Sequence, residues 1–98
     1  MKVRWTTSAR RELLSAYGFV RESRPRTAVA LVRRIGESAE RLGRHPLAGR
    51  VGRILGTHEL PISRTPYIIV YEVTESELII VRLLHAAQQW PAESDPSS

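Results

Sequence analysis

The sequence contains no cysteine, one methionine, one phenylalanine and a single lysine among its 98 residues. Without cysteine there is no disulfide, no thiolate nucleophile and no thiolate metal ligand, and three scattered histidines make a poor zinc site. No apolar run approaches the roughly 20 residues that a membrane-spanning helix needs. Because the first residues are basic and lack the apolar stretch of a signal peptide, we expect a cytoplasmic protein. The lack of a ligand set leads us to expect no metal or other cofactor.

Positive charge is unevenly distributed along the chain. Residues 1–64 hold 14 Lys and Arg against 5 Asp and Glu, a net charge of +9, whereas residues 65–98 have a net charge of −4. Lys2 is the only lysine, and the planar fork of arginine suits carboxylates and phosphates. The charge predicts an acidic protein segment, a nucleic acid, or both as partners. For any single arginine between residues 10 and 53, a solvated helix surface remains the simpler interpretation.

The hydrophobic pattern predicts one domain over residues 1–91, followed by a polar tail, residues 92–98, that we expect to be disordered. Alternation predicts a first strand, helical spacing predicts two helices, and three apolar runs predict further strands. The predicted strands are residues 2–6, 57–62, 67–74 and 78–84, and the second helix is Pro25 to Leu42. The fold class is therefore α+β, β-α-α-β-β-β, with a helical hairpin packed on a small, mostly antiparallel sheet.

Local signals add detail to this fold. Thr7 or Ser8 is expected to cap the first helix, and Gly43 is expected to end the second. Gly36 lies inside the second helix, where glycine suggests close packing on a neighbouring helix. Regular structure is expected to lapse between residues 43 and 56. The strands "YIIVYEV" and "LIIVRLL" are apolar on both faces, which predicts a partial second cover on the sheet, such as a partner. Trp90 and Pro91 are separately expected to fold the tail back onto the sheet.

A turn is predicted from Ser63 to Pro66, because proline pushes the preceding residue toward extended geometry. Arg64 then lies at an exposed end of the sheet. Arg82 lies inside an apolar strand, where a charge must be paired, and Glu72 or Glu59 is the expected partner. Strict alternation places Arg82 and His85 on opposite faces unless the strand contains a bulge.

The stretches "VRWTTSARREL", "RHPLAGRVGRILGTHELPISRTPYIIVYEV" and "IIVRLLHAAQQWP" together resemble the RelE/ParE family of toxins from type II toxin–antitoxin modules. The resemblance covers residues 2–91. It implies a small basic protein that stops bacterial growth when free. It also implies neutralisation by a cognate antitoxin with an acidic, partly disordered C-terminal segment, in a hetero-oligomer. From the charge and the resemblance, the predicted partner-binding residues are Arg10, Arg11, Arg50, Arg53, Arg64 and Trp90.

The family contains two branches with different targets. In the ribosome-dependent nucleases an arginine commonly follows the aromatic residue that opens the penultimate strand, and here that position is Ile68. Ala86 and Ala87 stand where such nucleases have basic or hydroxyl-bearing groups. The resemblance therefore favours a ParE-like inhibitor of DNA gyrase that has no catalytic residues of its own.

Two alternatives remain open. The first is a RelE-like, metal-independent endonuclease that cleaves mRNA in the ribosome, with Arg64, Arg82 and His85 as its catalytic residues. A histidine at a strand end, however, more often satisfies a backbone carbonyl. The second is a detoxified binding module that acts in operon autoregulation. The residues alone do not decide between the gyrase and the ribosome.

Overall fold

The computed structural model describes residues 1–91, and the tail predicted to be disordered, residues 92–98, lies outside the described residues. The elements are β1 (Lys2–Trp5), α1 (Thr7–Arg21), α2 (Pro25–Arg44), β2 (Arg50–Val51), β3 (His58–Pro61), β4 (Tyr67–Val73) and β5 (Glu77–His85). The predicted order is confirmed, with one addition. The two-residue strand β2 falls in the segment where only irregular structure was expected.

The strands form a five-stranded sheet in the order β1-β5-β4-β3-β2. β1 pairs in parallel with β5, and every other pair is antiparallel. The two helices pack against each other and cover one face of the sheet over β1 and β5. The expected α+β architecture is confirmed, and the core lies between the helical hairpin and this face. It is built from Ile35, Leu42, Ile69, Tyr71, Leu78, Ile80 and Leu83, among others.

The N-terminus of α1 is capped by Thr6, one residue before the predicted cap. The Thr6 hydroxyl accepts a hydrogen bond from the backbone N–H of Ala9 at 3.1 Å and donates to the Val81 carbonyl at 3.0 Å. The second bond joins the start of the helix to β5. Thr6 thus caps the helix and anchors it to the sheet, which a local sequence pattern cannot reveal.

The two glycines of α2 do not have their predicted roles. Gly43 does not end the helix, which continues to Arg44. Gly43 is buried, and an added Cβ would lie 2.9 Å from the Met1 carbonyl oxygen and 3.0 Å from a Val3 methyl carbon. Nothing lies within 4 Å of the corresponding point at Gly36. Close packing on a neighbour is therefore the role of Gly43, and the prediction for Gly36 is wrong.

A bulge interrupts the pairing of β4 with β5. Val70 pairs with Arg82, but the next residue, Tyr71, pairs with Ile80, so Val81 is an extra residue in β5. The bulge reverses the alternation after Val81, because one inserted residue moves the following side chains to the other face. Leu83 consequently joins the helix-covered core and Leu84 faces the opposite side, contrary to strict alternation.

The second face of the sheet has its own small apolar cluster. Trp90 and Val81 pack there against the buried cluster of Ile68, Val70 and Leu84, so the prediction that Trp90 folds back onto the sheet is confirmed. No helix within residues 1–91 is long and apolar enough to cross a membrane.

Candidate partner-binding surfaces

The second sheet face holds a buried carboxylate near the β2 edge of the sheet. Glu59 lies on β3 between Arg50 of β2 and Val70 of β4 in the strand register. Its side chain is only 1% exposed. A buried charge is tolerated only when it is paired and hydrogen-bonded. The sequence "THELP" gives no sign of this role, because one glutamate in a short strand equally suits a solvent-facing position.

Two arginines surround that carboxylate. Arg53 donates to Glu59 from its backbone N–H at 2.9 Å and from its guanidinium at 2.9 Å, and Arg50 donates at 3.4 Å. Burial opposes ionisation of Glu59, but the hydrogen bonds from Arg53 and Arg50 and the attraction of the Arg53 charge outweigh it and hold the pKa of Glu59 below its ordinary value. The same hydrogen bonds raise the pKa of Arg53. Arg50 and Arg53 are thus structural ion-pair partners as well as candidate binding residues.

Trp90 connects this cluster to β5. Its carbonyl oxygen accepts a hydrogen bond from Arg53 at 3.4 Å, and its ring lies 5.0 Å from the guanidinium carbon of Arg82. The indole N–H is buried and has no hydrogen-bond acceptor among residues 1–91. Arg50, Arg53 and Trp90, three of the predicted partner-binding residues, therefore lie together on the second sheet face.

Arg82 has a different partner from the one predicted. Its guanidinium forms a bidentate ion pair with Glu12 of α1, donating from Nε to Oε1 at 3.0 Å and from Nη2 to Oε2 at 2.7 Å. The same carboxylate accepts from the backbone N–H of Leu83 at 3.0 Å. The predicted pairing with Glu72 or Glu59 is wrong, because the bulge redirects Arg82 and Arg53 already binds Glu59. β1 pairs with β5 only as far as Ile80, so Glu12 satisfies a strand edge that β1 does not reach.

Arg64 occupies the third position of a turn that begins at Ile62. The Thr65 backbone N–H donates to the Ile62 carbonyl at 3.1 Å, and the Thr65 hydroxyl bonds both the Ile62 carbonyl and the Tyr67 N–H. The φ angle of Arg64 is +64°, in the left-handed region that favours glycine. No other non-glycine residue among residues 1–91 has a positive φ angle. The predicted turn and the exposure of Arg64 are confirmed.

The Arg64 side chain borders a cavity on the helix-covered side. This cavity has a volume of about 210 Å³, and its lining includes Phe19, Leu31, Tyr67 and His85. A neighbouring cavity of about 370 Å³ shares Phe19, Tyr67 and His85, so the two form one trough between α1 and the end of β5. Phe19 is 79% exposed although it is a large apolar side chain. Such an exposed apolar surface marks a candidate binding site.

His85 makes structural contacts at the edge of this trough. Its Nδ1 accepts a hydrogen bond from the Ala87 backbone N–H at 3.1 Å, and its ring meets Tyr67 edge-on, with ring centres 5.4 Å apart. A neutral imidazole that accepts at Nδ1 carries its proton on Nε2. The backbone partner is a donor and not the carbonyl expected from the sequence.

Comparison of the sequence with protein families identifies a match that covers most of the chain. The chain matches a model of the ParE toxin of the type II toxin–antitoxin system parDE over residues 3–90. The chain belongs to the ParE toxin family. A search of curated protein sequences gives no match.

Solved structures of related toxins resemble this ParE-family chain. A chain of the chromosomal ParDE system from P. aeruginosa is 26% identical with a TM-score of 0.79, covering 87% of this chain and 95% of that chain. A chain of the RelBE2 toxin–antitoxin complex from Mycobacterium tuberculosis is 31% identical with a TM-score of 0.57, covering 86% and 95%. The YoeB/ParE toxin from Agrobacterium tumefaciens, at 24% identity, a TM-score of 0.57 and coverage of 87% and 98%, shows the shared fold.

Two predicted partner-binding residues, Arg10 and Arg11, belong neither to the group of Arg50, Arg53 and Trp90 nor to the trough beside Arg64. Arg10 and Arg11 are exposed on α1. Of the three candidate nuclease residues, Arg64 and His85 border one cavity, whereas Arg82 is paired with Glu12 and lines a different cavity with Ser8 and Arg11. This ParE-family structure therefore brings two of the three together. No group of three or more His, Asp or Glu suited to a metal ion occurs within residues 1–91.

Proposed function

We propose that this ParE-family chain is a cytoplasmic toxin that inhibits DNA gyrase by binding and is neutralised by a cognate antitoxin with an acidic, partly disordered segment. The proposal assigns no bond-making or bond-breaking step to the chain. Its partner surfaces are the arginines without internal ion pairs and the apolar trough beside Arg64.

The observation that carries this proposal is the position of Ile68. In the resembling nucleases this position commonly holds an arginine, and here it is an apolar residue buried under Trp90 with Val70 and Leu84. A charged transition state needs donors aimed at the developing charge. At the Ile68 position the chain offers aliphatic carbon and an indole ring where a nuclease needs a cation. The arginines that contact Trp90, Arg53 and Arg82, are held by Glu59 and Glu12, which supports action by binding.

The charge distribution supports an acidic antitoxin segment. Four arginines form ion pairs within residues 1–91, namely Arg4, Arg50, Arg53 and Arg82. The other ten form none within the described residues, and nine of these lie on the helical hairpin or in its connection. They are Arg10, Arg11, Arg21, Arg24, Arg26, Arg33, Arg34, Arg41 and Arg44, with Arg64 as the tenth. A disordered acidic segment that folds on binding can cover such an extended surface.

A second candidate function is mRNA cleavage in the ribosome. One observation favours it: Arg64 and His85 border the same cavity together with the Tyr67 ring. Against it, the Arg82 guanidinium is held by Glu12 and borders a different cavity. A nuclease would have to release Arg82 from Glu12, and the Nδ1 contact of His85 leaves only its Nε2 for proton transfer.

The purified chain should be tested in two assays run side by side. We expect it to inhibit supercoiling by purified gyrase and to leave mRNA intact on translating ribosomes. Cleavage of ribosome-bound mRNA with unaffected gyrase would contradict the proposal and support the nuclease. An inert chain in both assays that still represses its operon together with the antitoxin would support the detoxified module.

A further inference from the structure

Arg64 occupies a backbone conformation that disfavours it. A side chain at φ +64° crowds the following carbonyl oxygen, and glycine is the residue that adopts this region without strain. The turn fixes that geometry through the two hydrogen bonds of the Thr65 hydroxyl and the bond from the Ile62 N–H to the Tyr67 carbonyl at 2.9 Å. Strain at an exposed residue indicates a role for the side chain that glycine could not supply.

The surroundings of Arg64 show what kind of group it could bind. Its guanidinium has no ion pair or hydrogen bond within residues 1–91, although the chain pairs four other arginines internally. The adjoining cavity is lined largely by carbon, including Val20, Leu31 and the exposed ring of Phe19. A site with one free cation at its rim and an apolar interior fits a ligand with a matching anion and apolar group.

We infer that Arg64 and the cavity formed with Phe19, Leu31, Tyr67 and His85 are a side-chain socket for an acidic peptide segment, with a large apolar residue in the cavity and a neighbouring carboxylate on Arg64. The socket deepens the proposed function and rests on it for the presence of an acidic protein partner. A peptide is favoured over a nucleic acid because the cavity interior is lined mainly by aliphatic and aromatic groups, and Arg64 is the only arginine or lysine among its lining residues.

The binding test uses the purified chain with three synthetic octapeptides: an acidic peptide with a central Phe, the same peptide with a central Ala, and a Gln-substituted neutral peptide with the central Phe. Amide chemical-shift changes locate the binding site, and titration gives Kd. We expect the acidic Phe peptide to bind best, with shifts at Phe19, Arg64, Thr65 and His85. An octadeoxynucleotide is titrated in parallel.

Variants separate the socket from general charge attraction. Arg64→Ala and Phe19→Ala should each raise the Kd of the acidic Phe peptide about tenfold, the loss of one charge-assisted contact or one buried apolar group. Two controls should change it less than about twofold, within ordinary surface effects. Arg4→Ala removes one positive charge at the opposite end of β5, and Leu14→Ala removes an exposed apolar side chain from the same helix.

Arg64→Gly is the decisive variant because it removes the strain and the cation together. It should weaken the peptide as much as Arg64→Ala while raising Tm above that of the unmodified chain. The inference is overturned if no peptide binds at millimolar concentration, if Arg4→Ala weakens binding as much as Arg64→Ala, or if the oligonucleotide binds these residues more tightly than the peptide. Growth arrest by the unmodified chain is measured separately, so loss of the socket and loss of the toxin function give different results.

Discussion

The arginines of this chain fall into two populations that look alike in the sequence. On the second sheet face, Arg50 and Arg53 hold the buried carboxylate of Glu59, and Arg82 holds Glu12 at the edge of β5. On the helical hairpin and at the Arg64 turn, the arginines form no ion pair within residues 1–91. The first population serves the fold and the second is available to partners. In an arginine-rich protein, the distribution of carboxylates tells which arginines are free to bind.

The largest effect should come from Arg53. Arg53→Ala removes the guanidinium hydrogen bonds to a buried carboxylate and the link to Trp90, and leaves the backbone N–H bond to Glu59. Breaking a buried pair costs about 3–5 kcal/mol, and because Arg53 is half-exposed and Arg50 remains, we expect about 2–3 kcal/mol of lost stability. Urea unfolding measures this loss. Arg33→Ala, the matched loss of an unpaired arginine, should stay within about 0.5 kcal/mol. If Arg53→Ala and Arg33→Ala lost the same stability, ion-paired and unpaired arginines would not differ in their contribution to the fold.

Arg82 should show an intermediate effect. The side chains of Arg82 and Glu12 are 30% and 23% exposed, so water reaches the pair and its loss costs less than that of a fully buried one. We expect Arg82→Ala to lose about 1–2 kcal/mol in urea unfolding, less than the cost of leaving a buried charge unpaired. A double-mutant cycle with Glu12→Gln isolates the coupling between the two residues. If the losses of the two single variants add up to the loss of the double variant, the ion pair itself contributes no coupling energy.

The buried Glu59 carboxylate should also make the stability of the fold depend on pH. The pKa of Glu59 is lower in the folded chain than its ordinary value of 4.5, so Glu59 stabilises the fold above that pH. The contribution should disappear as the pH falls from 4.5 through the folded pKa, where the unfolded chain binds the proton first. We expect Glu59→Gln to be less stable at pH 7 and to lose less stability on acidification. If the stability of the unmodified chain and that of Glu59→Gln fell in parallel on acidification, Glu59 would not be the source of the pH dependence.

The smallest predicted effects distinguish the two glycines of α2. Gly36→Ala meets open space and should gain up to about 1 kcal/mol from helix propensity. Gly43→Ala meets the Met1 carbonyl oxygen and Val3, so it should lose about 1 kcal/mol or more because the backbone must shift. Thermal melts of both variants at one pH measure the difference. Stabilisation by both substitutions would show that β1 is not held closely against the end of α2.

Local patterns predicted the elements of this fold better than they predicted its contacts. Period-two runs and helical spacing identified both helices and four of the five strands, because those signals lie within a few residues. The bulge at Val81 has no such signal, and Glu12 pairs with a residue 70 positions away. Glu59 is buried only because β2 and the loop carrying Arg53 close over it. Arg64 was identified because Pro66 fixes a turn locally, although its positive φ was not apparent from the sequence.

Growth-arrest assays of His85 and Arg64 variants separate action by binding from catalysis. If the chain acts by binding and not by catalysis, His85→Gln should retain growth arrest within a few fold, whereas loss of a true acid or base costs about 10² to 10⁴ in rate. Arg64→Ala should weaken growth arrest or antitoxin neutralisation while its Tm stays close to that of the unmodified chain. A folded His85→Gln chain without toxicity, beside a fully toxic and fully neutralised Arg64→Ala chain, would contradict the account and point to a nuclease.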